Sequence, residues 1–232
     1  DERVIPFMTK YFRYQLKHIE KQPLKMWAVA RGGENILSIF WLYNHTGDEF
    51  LLELADKVYK QTLDWTGFCT NLPYKSSMKD YLDWKEFTNI GWDQISNPTD
   101  LGEDEAGKLF KAYHFSHVVN VAMGLKEPGV YFQRSNSDKH KNAALLGIHQ
   151  LMKYHGVVYG MWTGDEHLSG NNPTQGTELC AVVEYMFTLE TLMRIFGETE
   201  FGDILERLAY NALPAAIKPD FRARQCDQQA NQ

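Results

Sequence analysis

Apolar residues recur along this chain at helical spacing. In "NILSIFWLYNH" (35–45), Ile36, Ile39, Phe40 and Tyr43 fall at i, i+3, i+4 and i+7, one face of a helix. "TGD" at 46–48 ends it, with Gly47 in the C-terminal cap position. A second helix is predicted over about 49–65, carrying Leu51, Leu52, Leu54, Ala55, Val58, Tyr59 and Leu63. The same grammar returns later: a helix over 177–196 stops at Gly197 in "FGETEF", and another follows over about 200–213. These two helix–Gly–acid–helix units read as degenerate copies of one structural repeat. Further helices are expected at roughly 104–124 and 138–155. Only "GVYFQ" and "GVVYGMW" alternate like strands, and both are short. The pattern predicts an all-α fold of antiparallel helix pairs, an α/α toroid or an α-solenoid. The Asn-, Asp-, Gly-, Pro- and Trp-rich segment 67–103 reads as a long ordered excursion over one face.

Segment 177–196 is apolar nearly all round, as central, buried helices are. Thr177 is its expected N-cap. Glu178 then sits in the first turn, where the helix dipole favours negative charge, and the free N–H groups there favour a thiolate at Cys180.

Composition narrows the function. Apolar residues make up 44% and charged residues 23% of 232, the balance of a globular protein. Aromatics reach 13%, which suits a large core or a groove where rings stack on a sugar. A net charge of −6 argues against a general nucleic-acid surface. No window approaches 18 uninterrupted apolar residues, so no membrane span is predicted. "DERVIPFMTK" lacks a cationic start followed by an apolar run, and without an initial Met a processed or trimmed N-terminus is expected. Cys69, Cys180 and Cys226 are odd in number and far apart, which disfavours a disulfide framework and leaves metal binding, catalysis or burial for each.

The candidate chemistry gathers in "GDEHLSGNNPTQGTELC" (164–180). Glu178 and Cys180 form E-x-C, a possible pair of zinc ligands that could share one metal only at an irregular first helical turn. Spacing alone leaves open a structural carboxylate at Glu178, a buried structural thiol at Cys180 and solvated loop charges at Asp165 and Glu166. His117 and His114, in "YHFSHVVNVAMG", are equally open to a structural role, and the charged pair of "ARGGEN" reads as helix capping. No Ser-His-Asp order, Gly-rich phosphate loop or CxxC occurs.

The pieces "TGDEHL", "NNPTQ", "TELCA", "FGETEF" and "ERLAYNALPA", with "FSHVVNVAMGLKEPG" upstream, resemble glycoside hydrolase family 127, the β-L-arabinofuranosidase-like proteins. The resemblance covers most of 28–232 and is most specific over 159–214. It implies an (α/α)6 barrel followed by β-sandwich domains, so that 1–232 is a single partial barrel domain without the sandwiches. It implies retaining hydrolysis of a plant-polysaccharide furanoside by a cysteine thiolate, with a zinc ion held by one Glu and three Cys. Carried over, Glu178 and Cys180 are zinc ligands, Glu166 is the general acid/base, and His117 contacts substrate. "E-T-C" of the family is "E-L-C" here. The family's Cys-Cys pair, which includes the nucleophile, lies beyond "D-Q-Q-x-N-Q", where this sequence ends. The expectation is therefore a partial zinc site with the nucleophile lacking; Cys226, outside any Cys-Cys context, is not promoted to that role. The expected partner is a carbohydrate, with neither nucleic acid nor membrane, and a periplasmic or cytoplasmic bacterial location would fit the family. Two other classes remain: a uronic-acid lyase or epimerase toroid without zinc, and a non-catalytic carbohydrate-binding toroid.

Overall fold

The structure, a computed structural model, describes residues 1–83 and 105–229. Helix α1 (Val4–His18) is followed by a single turn, α2 (Trp27–Ala30), then α3 (Gly32–Thr46), α4 (Phe50–Gln61) and α5 (Trp65–Thr70). After a 3-10 turn at Met78–Asp80 come α6 (Glu105–Ser116), α7 (Val118–Gly124), α8 (Glu127–Ser135) and α9 (Asp138–His155). A small sheet is built from β1 (Gly164–Asp165), β2 (His167–Leu168), β3 (Thr177–Glu178) and β4 (Asp227–Gln228). Between β3 and β4 lie α10 (Leu179–Phe196), α11 (Thr199–Arg207), a π-helical turn (Leu208–Ala212) and α12 (Leu213–Ala215). Residues 84–103 of the expected excursion lie outside the described residues.

Both repeat units take the predicted form. Gly47 and Gly197 end α3 and α10 in the left-handed region, at φ 70° and 71°. Each donates its N–H to the carbonyl four residues back, Tyr43 and Met193, at 2.8 Å. A side chain there would carry a steric cost that Gly avoids, so each unit turns tightly from one helix to the next. In the first unit, Ile36, Ile39, Leu51, Leu54 and Val58 bury one core with Phe12 of α1 and Val130 of α8. A second core joins Trp65, Phe68, Val121, Ile148, Leu151, Trp162, Tyr185 and Leu189. Gly124 lets α7 approach α5, because a Cβ there would come within 2.2 Å of the Trp65 ring.

Four expectations change. The helix expected over 104–124 is two, broken at His117 in an extended conformation (φ −61°, ψ 117°). "GVYFQ" lies inside α8, which Pro128 starts and left-handed Asn136 ends. "GVVYGMW" forms only an isolated bridge, Gly156 to Trp162. Thr177 is not the cap of α10: it lies in β3, bonded to the Tyr159 hydroxyl at 2.7 Å, and Glu178 takes the N-cap position. Helix α10 packs on α7, α8 and α11, yet Val183 and Phe187 stay exposed, so one of its faces is open.

Candidate active site

The site is built where the hairpin β1–β2 meets the break between α6 and α7. Asp165 pairs with His167 in an antiparallel register, leaving Glu166 alone at the tip. Such a tight turn needs a left-handed residue, and Glu166 adopts φ +69°. Its carbonyl accepts the Val118 N–H at 2.9 Å, so the hairpin tip satisfies a donor in the first turn of α7. Its carboxylate reaches into solvent with Oε2 3.3 Å from His117 Nε2; the Glu166 side chain is 66% exposed and that of His117 only 7%.

The tautomer of His117 follows from its other nitrogen. Nδ1 accepts the Asn120 N–H at 3.3 Å, which leaves Nε2 to carry the proton that faces Glu166. His167 Nδ1 lies 2.8 Å from the Ser116 hydroxyl. Asn120 receives Arg31 Nε on Oδ1 at 2.9 Å, and the Arg31 guanidinium lies 4.7 Å from the centre of the Trp27 ring. Arg31 does occupy the N-cap position of α3, but its side chain makes no capping bond and faces the histidines instead, while Glu34 pairs with the buried Lys126.

Burial, reinforced by neighbouring positive groups, pushes His117 down to about 4 and His114 and His167 to about 3. All three rings are therefore neutral at pH 7. The unfolded chain takes up these protons near 6.5, so between about 6.5 and 4 it binds more protons than the folded state. Their contribution to stability is present above 6.5 and is lost as pH falls through that window. Long-range 1H–15N NMR spectra of the rings should show all three free of imidazolium at pH 5.5. A His117 protonation midpoint above 6 would contradict this geometry.

The second half of the site hangs on β3. Thr177 pairs in parallel with Gly164 of the hairpin, and β4 pairs antiparallel on the other edge, Glu178 opposite Asp227. The Leu179 N–H donates to the Cys226 carbonyl at 2.7 Å. This register brings Cys226 beside Cys180, Sγ to Sγ 4.0 Å, with Glu178 Oε1 3.8 Å from the Cys226 sulfur. One donor atom from each of the three lies within 4.8 Å of the others. The i, i+2 difficulty of E-x-C disappears, because Glu178 is still extended (φ −79°, ψ 129°) while Cys180 is already helical. Cys226, which the sequence reading did not name among the ligands, thus joins Glu178 and Cys180 in one cluster. Its partner is set by strand pairing across 46 residues, for which the only sequence signal was a Cys-Asp-Gln-Gln run able to extend.

Two thiols and a carboxylate are a donor set suited to zinc. Glu178 Oε2 is buried with no hydrogen-bond partner among the described residues, an orphan that a cation would satisfy. Burial and then the charges of Glu166 and Asp227 push Glu178 up to about 7, and burial and Cys180 push Cys226 up to about 12. Anions gathered this closely oppose one another, and a divalent cation reverses that balance.

The catalytic-domain model of GH127 β-L-arabinofuranosidase matches residues 1–225. The chain belongs to the GH127 family. A GH127 β-L-arabinofuranosidase of Geobacillus stearothermophilus T6 superposes with a TM-score of 0.53 at 16% identity, over 84% of this chain and 30% of that one. A sugar epimerase from a ruminal bacterium superposes with a TM-score of 0.55 at 13% identity, over 87% and 47%. At these identities the likeness is one of fold, and it bears out the all-α, helical-toroid class. A tRNA dimethylallyltransferase of Campylobacter fetus subsp. fetus (strain 82-40) is 30% identical over 151 residues, 60% of this chain. The GH127 chain spans 48% of that curated relative's length. Among the described residues no helix is long and apolar enough to cross a membrane. The matched family model is that of the GH127 catalytic domain.

Proposed function

We propose that this GH127 protein is a retaining glycosidase, dependent on zinc and a cysteine nucleophile, acting on a plant-polysaccharide furanoside such as a β-L-arabinofuranoside. The observation that carries the reading is the Glu178–Cys180–Cys226 cluster on the strand next to the hairpin that presents Glu166. Glu178, Cys180 and Cys226 would hold the zinc. When bound, the ion supplies the positive charge that keeps nearby thiols deprotonated at neutral pH. A cysteine thiolate at this centre, contributed by the Cys-Cys pair that the family resemblance places beyond this sequence, would attack the anomeric carbon and form a C–S bond as the glycosidic C–O bond breaks. Glu166, protonated, gives its proton to the leaving oxygen; as carboxylate it then takes one from the water that cleaves the C–S bond. His117 Nε2 faces the Glu166 carboxylate at 3.3 Å, and a ring kept neutral by burial does not compete for the proton in transit. The wall formed by Trp27, Arg31 and His117 is where the furanose would rest, with His117 as its contact.

The likeness to a sugar epimerase supports a second reading, but an epimerase toroid leaves the paired thiols without a task. The two separate on 4-nitrophenyl β-L-arabinofuranoside. Glycosidase action should release nitrophenol and L-arabinose with the β-anomer appearing first by NMR, and a chelator should abolish release. Full turnover in chelator, or formation of the α-anomer first, would refute the mechanism.

A further inference from the structure

Beside the loop that follows β2 lies a polar cleft of about 420 Å3, a volume usual for small-ligand sites. One wall is the segment Lys75–Lys79; the other is the loop that continues from β2 through Ser169, Gly170 and Asn172. A buried histidine ties the two walls together. His155 Nδ1 accepts the Gly170 N–H at 3.0 Å, so its Nε2–H donates to the Tyr74 carbonyl, 2.9 Å away. Gly170, at φ +84°, brings its backbone against Ser77: a Cβ there would lie 3.5 Å from the Ser77 nitrogen. The Thr163 hydroxyl donates to the Gly170 carbonyl from beneath. The cleft is therefore preformed and does not depend on ligand to close it.

Its charge runs against that of the chain. Lys75, Lys79 and Lys153 line it, no carboxylate does so among the described residues, and none of the three lysines takes part in an ion pair there. In a protein of net charge −6, three unneutralised ammonium groups in one recess form a local positive field. The ammonium groups of Lys75 and Lys153 lie 5.6 and 5.1 Å from the centre of the Tyr154 ring, which restrains both and lowers the entropy cost of engaging an anion. Between the lysines the lining is hydroxyl and amide: Ser76, Ser77, Ser169, Asn172 and Gln175.

We infer that this cleft is a subsite for a carboxylated sugar, a uronate unit of the polysaccharide whose neighbouring residue reaches the active site. Ammonium groups would meet the carboxylate while the hydroxyls and amides meet the ring hydroxyls. Among the described residues no Arg lines the cleft, so charge is read there by ammonium point charges, which serve carboxylate and phosphate alike; the surrounding hydroxyls and amides, suited to ring hydroxyls, favour the sugar acid. Nucleobases would need a free aromatic platform, and Tyr154 is already engaged by two lysines. Continuity with the catalytic centre is covalent: Ser169 is three residues from Glu166, a Cα separation of at most roughly 10 Å. The inference deepens the glycosidase reading and rests on it for the claim that the uronate belongs to the substrate.

The test is a calorimetric titration with trigalacturonate, in parallel with neutral galactotriose, inorganic phosphate and a single-stranded RNA dodecamer. Trigalacturonate should bind, should weaken as salt is raised, and should lose roughly tenfold in affinity in Lys75→Ala/Lys153→Ala. Both lysines are exposed, so the variant should fold, and its turnover of 4-nitrophenyl β-L-arabinofuranoside should match the parent's. Equal affinity for galactotriose, tighter binding of RNA or phosphate, or undiminished trigalacturonate binding by the double variant would overturn the assignment. Failure of the two readings is distinguishable. Aryl furanoside turnover without uronate binding removes the cleft alone; lysine-dependent uronate binding without turnover removes the glycosidase and keeps the cleft as an acidic-sugar site.

Discussion

Replacing Glu166 by Gln is expected to lower kcat for aryl β-L-arabinofuranosides by roughly 10²–10⁴-fold, the usual contribution of a positioned proton donor. Bound zinc should stay at the parent's level. Gln has the same shape and keeps an oxygen where the carboxylate faces His117 Nε2, so little but the transferable proton is lost. The backbone that holds the residue is untouched: the left-handed turn and the Val118 N–H bond do not depend on the carboxylate. The defect should grow with the basicity of the leaving group, because a poor phenol needs its oxygen protonated and nitrophenol scarcely does. Measuring kcat across a series of substituted phenols, with metal content by mass spectrometry, checks both halves. Parent-level turnover across that series would remove Glu166 from the mechanism.

The parts of this molecule legible in the sequence are those encoded locally. Ile36, Ile39 and Phe40 repeat on one face, Gly47 and Gly197 punctuate, and both helix pairs form where that grammar puts them. What escaped is set by contacts distant in sequence. The break at His117 has no Pro or Gly to mark it: it exists because the Glu166 carbonyl, 48 positions later by number, takes the Val118 N–H, and because His117 caps α7 with its own ring. "GVYFQ" alternates like a strand, yet tertiary packing of Val130 into the first core makes it helix. The same limit governs the site. Glu166, Glu178 and Cys180 stand in one loop and were visible together. Arg31 looked like a helix cap, and its approach to Asn120 depends on how α3 meets α7. Cys226 is chosen by the register of β4 against β3, a two-residue strand whose own sequence carries almost no signal.

Cys226 therefore gives the sharpest comparison with what the local sequence foresaw. Cys180→Ala and Cys226→Ala should each weaken zinc binding by roughly a hundredfold or more, since losing even a supporting outer-shell group costs 10–100-fold. Both thiols lie at an exposed edge, and the Leu179 N–H bond to residue 226 uses only backbone, so each variant should keep the sheet. Cys69→Ala is the control: that thiol is fully buried in the second core, and its loss should lower stability without touching the metal. The affinity should also depend on pH in one direction. Glu178 is pushed up to about 7 and Cys226 to about 12, so loading the site expels protons and binding tightens as pH rises. Competition with a chromophoric chelator from pH 6 to 8, with proton release read in weakly buffered solution, measures both. A Cys226→Ala protein that holds zinc as tightly as the parent, while Cys180→Ala does not, would take β4 out of the metal site. Equal retention by both variants would remove the thiols altogether, and the cysteine-nucleophile mechanism with them.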